Sequence, residues 1–184
     1  DPRTEVPPRG LIEARHRRTK PHIFTQQEIE RLIAEASRLP SRTGLRALTH
    51  VTLTGLLAAT GLRPGEALAL DVHDVNLQNG VLAIRQTKFG KSCFVPLDDL
   101  TRAALAHYAQ RRDELCPRRE AEAFLVSERG TRLDQCATRR TFAKLSCLIG
   151  LRTAAEGQRN IEAIPELLQL ATEQLTVRQR GGTL

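Results

Sequence analysis

Ile29, Leu32, Ile33 and Ala36 recur at the three-and-four spacing of one helix face. Thr25 stands ahead of them as an N-cap, and Glu28, three residues on, completes a capping box. This helix is expected to end near Leu39-Pro40. A second helix is predicted from about Arg42 to Thr60, with Leu45, Leu48, Val51, Leu53, Leu56 and Leu57 apolar on most sides. A helix without a polar face belongs in the middle of a fold, so this one is expected to be central and buried. Gly61 suits a left-handed stop. Pro64 suits the first turn of a short third helix, Pro64 to Leu70.

Over residues 80–97 the period changes to two. Val81, Ala83 and Arg85 alternate with Leu82, Ile84 and Gln86, and Phe94-Val95-Pro96 forms the return strand. The turn Thr87-Lys88-Phe89-Gly90-Lys91 gives the hairpin a lysine-bearing tip. A helix capped by Asp98 or Asp99 follows to about Glu114, then a short strand from Ala123 to Val126 and a helix from about Asp134 to Ile149. Pro165 to Leu175 fits one further amphipathic helix. The predicted class is mainly α with a small antiparallel hairpin or sheet (α+β).

Composition narrows this picture. Aromatics are 3% of 184 residues, with one Tyr and no Trp, so the core must be built from Leu, Ala, Ile and Val. Met is absent, which predicts an excised or processed piece of a longer protein. The net charge of +7 favours phosphate polyanions, although a basic solvated surface has the same charge. Cys93, Cys116, Cys136 and Cys147 form no CxxC pair, so incidental or buried free thiols fit better than zinc. No apolar run is long enough for a membrane span and no secretory signal is visible. These features point to a cytoplasmic protein with no membrane partner.

Residues 1–22 are rich in Pro and Arg, with Arg15, Arg17, Arg18 and Lys20 ahead of Pro21. They read as a basic extended linker that lies along a phosphate backbone, or as a solvated tail. The string Ala59-Thr60-Gly61-Leu62-Arg63-Pro64-Gly65-Glu66 puts an arginine where a buried helix ends and the next begins. A guanidinium there can grip two phosphate oxygens in a planar fork, and Glu66 can cap the helix or orient the arginine. The other reading is an ordinary helix joint with a surface arginine. Lys88 on a hairpin tip can enter a DNA groove or donate a proton to a leaving oxygen, or it is simply a polar turn residue.

Taken in order, the T-G-L-R-x-x-E block, the loop Ala69-Leu70-Asp71-Val72-His73-Asp74-Val75-Asn76, the Lys88/Lys91 hairpin closed by Val95-Pro96-Leu97, and Arg139-Arg140-Thr141-Phe142-Ala143-Lys144 resemble the tyrosine recombinase (phage integrase) family over about residues 9–152. The resemblance implies that family's catalytic-domain fold and its reaction. DNA is cut and rejoined through a phosphotyrosine, with no metal or other cofactor. It assigns Arg63 to the first catalytic arginine, Lys88 to the general acid and Glu66 to the supporting acidic position. DNA contacts are expected from Thr87, Lys91, Arg139, Arg140, Lys144, Arg17, Arg18 and Lys20. Double-stranded DNA is the implied partner, with other recombinase protomers as a second. Asp71, His73 and Asp74 invite a metal reading, which that chemistry does not require.

The family's H-x-x-R block and its later tyrosine are not found. None of His16, His22, His50, His73 and His107 has an arginine three residues on. Tyr108 comes too early and shares a helical face with Leu100 and Ala104, so it reads as a packing residue. The chain divides into a linker (1–22), an incomplete recombinase-like core (23–152) and a divergent tail (153–184). It is expected to bind DNA and to be inactive by itself. A non-catalytic DNA-binding or regulatory relative and a helical interaction domain are the alternatives.

Overall fold

The computed structural model describes residues 23–85, 92–119 and 121–151. Five helices and a three-stranded sheet make up this part: α1 (Gln26–Ser37), α2 (Leu45–Thr60), α3 (Pro64–Ala69), β1 (Val75–Asn76), β2 (Val81–Ile84), β3 (Cys93–Pro96), α4 (Asp99–Leu115) and α5 (Gln135–Leu148). The class is the one predicted, mainly helical with a small antiparallel sheet.

α2 is the centre, and all but Arg46, Ala59 and Thr60 of its residues are buried. Its buried threonines remain satisfied because their hydroxyls bond back one turn, Thr52 to the Leu48 carbonyl at 2.9 Å and Thr54 to that of His50 at 2.8 Å. α1 packs on α2 through Ile29, Leu32, Ile33 and Ala36, each fully buried. The α1 capping box forms: Thr25 Oγ1 accepts from the Glu28 amide and Glu28 Oε2 accepts from the Thr25 amide. α4 covers another side of α2, and α5 packs against α1, with Phe142 set edge-on to Phe24 at 6.1 Å.

In the sheet, β2 pairs with β1 and β3, with Leu82 opposite both Val75 and Val95 and Ala83 opposite Phe94. Leu82 and Ile84 point into the core, while Phe94 on the edge strand is 77% exposed. The hairpin tip, residues 86–91, and the expected helix at 165–175 lie outside the described residues.

Three expectations change. Residues 123–126 are not a strand. They make two isolated bridges, Asp71 with Ala123 and Val126 with Arg132. Phe124 N–H bonds the Leu70 carbonyl at 2.9 Å, so this apolar run pairs with the irregular stretch after α3 and cannot extend. α2 begins at Leu45, not Arg42, because Gly44 turns left-handed (φ 84°) just before it. The 69–76 segment, read as a loop, contains a 3-10 turn at Val72–Asp74 and strand β1.

Candidate functional site

Arg63 sits where the sequence placed it. Gly61 closes α2 in the left-handed region (φ 67°), and its amide bonds the Leu57 carbonyl at 2.9 Å. Arg63 is then extended (ψ 142°) and becomes the N-cap residue of α3, with Pro64 at the first helical position. The Glu66 carboxylate works in both directions. Its Oε2 accepts from the Arg63 amide at 2.9 Å and its Oε1 pairs with Arg63 Nη1 at 2.9 Å. Glu66 thus both caps the helix and aims the arginine. The Arg63 side chain is 68% exposed, so most of its donor fork faces solvent. That geometry presents a held guanidinium to an incoming oxyanion.

α5 begins beside α3: a Cβ built on Gly65 would meet Gln135 Nε2 at 3.8 Å. Asp134 caps α5, its carboxylate accepting from the Ala137 amide at 2.7 Å. Arg139, Arg140 and Lys144 are all exposed on this helix. Arg140 spends one donor on the Cys136 carbonyl at 3.4 Å. Lys88, Thr87, Lys91, Arg17, Arg18 and Lys20 lie outside the described residues.

Tyr108 is fully buried. Thr49 Oγ1 gives its proton to the Val126 carbonyl at 3.0 Å, so the Tyr108 hydroxyl donates to Thr49 at 3.2 Å and accepts from the Val126 amide at 3.2 Å. Burial pushes its ionisation above 10.0. A hydroxyl so enclosed is a joint between α2, α4 and the 123–126 segment. Ala104 shares its buried face as expected, but Leu100 does not: it is 40% exposed, in the first turn of α4.

Asp71, His73 and Asp74 bring ligand atoms within 4.8 Å of one another. Their carboxylates already face cations. Asp71 pairs with Arg132, and Asp74 Oδ1 lies 2.6 Å from Arg85 Nε while its Oδ2 accepts from the Asp71 amide at 3.1 Å. Arg132 also donates to the Leu68 carbonyl at 2.9 Å and the Leu70 carbonyl at 3.3 Å. The cluster therefore ties the end of α3 to the base of the hairpin, and a metal there would compete with two guanidiniums.

Sequence reasoning missed a second group. Arg46 and His50 on α2, Arg129 and Arg132 on the loop that precedes α5, and Thr138 on α5 line one cavity. His50 was weighed only as a possible member of H-x-x-R. Its place on an otherwise apolar helix, four residues after Arg46, was the available signal.

Residues 22–159 match the model of the phage integrase family. A protein of Sinorhizobium fredii with the provisional name integrase/recombinase y4rB is 43% identical over 160 residues, covering 85% of this chain and 51% of that protein. The chain thus spans about half the length of this relative. The crystal structure of XerA recombinase superposes with a TM-score of 0.58 at 25% identity, over 90% of this chain and 53% of the other. The XerH site-specific recombinase bound to its difH substrate, in a pre-cleavage complex, shares the fold with a TM-score of 0.57 at 21% identity, covering 88% and 44%. With the arginine joint, the hairpin strands and the basic helix in the expected order, these likenesses show that the chain belongs to the phage integrase family of tyrosine recombinases.

Proposed function

We propose that this chain is a DNA-binding portion of a recombinase catalytic domain that grips the phosphate backbone and does not cut it unaided. The observation that carries this reading is Arg63, exposed at a helix joint and held by Glu66 on two atoms. Such a group gives charge-assisted, bidentate contact to a phosphodiester. Arg139, Arg140 and Lys144 extend the contact along α5. Lys88, with Thr87 and Lys91, would reach the same strand from the hairpin, and Arg17, Arg18 and Lys20 would follow the backbone from the linker. XerH, a fold relative, is bound to its difH substrate in a pre-cleavage complex.

In the family's reaction a tyrosine attacks the scissile phosphate. Arginines stabilise the charge that builds on the phosphoryl oxygens, and a lysine protonates the leaving 5′-oxygen. We assign Arg63 to the first of these arginines, Glu66 to its support and Lys88 to the acid. The second arginine, from H-x-x-R, is missing from this sequence, and losing one such donor typically costs about 10²–10³ in rate. The tyrosine is the larger gap, since the hydroxyl of Tyr108 is enclosed and committed. Residues 1–22 serve as the linker, 23–152 as the recombinase-like unit and 153–184 as a divergent tail. The family match over 22–159 supports the middle assignment. Other recombinase protomers are the second partner of this reading, and the cytoplasm its place of action.

Incubation with a nicked DNA substrate that traps the covalent intermediate tests this. The expected result is a salt-sensitive noncovalent complex and no covalent adduct. An adduct that persists in detergent would overturn the assignment.

A further inference from the structure

The first half of α2, the 126–134 loop and the first half of α5 line a half-open cavity of about 520 Å³, within the roughly 300–1,000 Å³ span of small-molecule sites. No residue of α3 lines it. Thr138 and His50 are two deeply buried polar residues of its wall, each 8% exposed. Thr138 Oγ1 is buried with no hydrogen-bond partner among the described residues. Buried polar groups in native folds nearly always have a partner, so an unpaired hydroxyl on a cavity wall points to a missing ligand.

The charged lining divides cleanly by commitment. Arg132 is engaged by Asp71 and the Leu68 and Leu70 carbonyls. Glu128 accepts from the Ser41 hydroxyl and the Thr43 amide, and Asp134 caps α5. Arg46 and Arg129 line the same cavity, and neither is within ion-pair distance of a carboxylate among the described residues, although the Arg46 charge acts on Glu128 from a longer range. What remains uncommitted is a set of donors: two guanidiniums, a hydroxyl and an imidazole N–H. A tetrahedral oxyanion supplies enough acceptor oxygens for all of them. Burial, and then the Arg46 cation, holds His50 down to about 4, so near neutral pH it is an uncharged donor.

We propose that this cavity is an oxyanion site for a phosphate group, carried by a free phosphorylated small molecule or by a DNA strand. The site is separate from Arg63 and does not depend on the DNA reading given above.

Solution NMR of the full chain with inorganic phosphate tests it. Saturable shifts of the His50 and Thr138 resonances in the millimolar range are expected. The His50 titration should move upward as an anion settles beside it, against the background of Arg46, Arg129, Arg132, Glu128 and Asp134, which face the same space. Arg46→Gln should weaken phosphate roughly tenfold. Thr138→Val removes an unpaired hydroxyl, so it should keep or raise Tm while weakening phosphate severalfold. A short duplex that shifts the same resonances and is displaced by phosphate would assign the group to a DNA strand. A nucleoside monophosphate that binds more tightly than phosphate, with the duplex leaving these resonances in place, would assign it to a small molecule. An absence of saturation at tens of millimolar phosphate, or equal binding by Arg46→Gln, would overturn the proposal.

Discussion

The Tyr108 hydroxyl is the residue that most sharply separates packing from catalysis. It takes the Val126 amide proton and gives its own to Thr49. Tyr108→Phe would leave that buried amide unpaired, a loss of about 1–3 kcal/mol. Urea denaturation should show that drop, while DNA affinity stays unchanged. His50 makes a pH prediction. Its folded value of about 4 lies below the ordinary histidine value of 6.5, so the unfolded chain binds the extra proton. Its contribution to stability is therefore complete above 6.5 and falls as pH drops toward about 4. The gap corresponds to about 3 kcal/mol. His50→Leu should flatten most of that acid limb in denaturation curves taken between these limits. A smaller part would remain from His107, which is lowered by burial and then by Arg111.

At the scale of elements, α5 depends on its first turn. Asp134→Ala removes the acceptor for the Ala137 amide and should cost about 1 kcal/mol. Because Arg139, Arg140 and Lys144 ride on this helix, DNA binding should weaken along with its thermal stability. The Asp98 cap of α4, the Thr25–Glu28 box and the Gly61–Arg63–Pro64 joint were all legible in the sequence, because each depends on residues three or four apart. The 123–126 segment was not. Its apolar run satisfies a strand pattern, but its partner is the 70–72 stretch some fifty residues earlier, too short and irregular to make a ladder. Leu100 misled for a related reason: spacing put it on the Tyr108 face, but the buried stripe of α4 runs through Thr101, Ala104, Leu105, Tyr108 and Arg112 and leaves Leu100 at its edge. The cavity around His50 was hidden because three separate elements supply its wall.

For the whole molecule, a net charge of +7 becomes meaningful through placement. Several cations are spent inside the fold. Arg112 is buried and bonds Asp113 and the Phe124 carbonyl, lying 5.7 Å from the Tyr108 ring centre and 5.2 Å from that of Phe124. Arg132 and Arg85 neutralise Asp71 and Asp74. Arg63, Arg139, Arg140 and Lys144 stay exposed, and on the proposed reading these charges release counterions when a duplex binds. The most direct measurement is duplex affinity as a function of salt, for the intact chain and for Arg63→Gln. A linear log–log fall is expected, with the slope reduced by about one unit in the variant, since each neutralised phosphate contributes about 0.9. Affinity indifferent to salt, or identical slopes for the two proteins, would contradict a phosphate grip at Arg63.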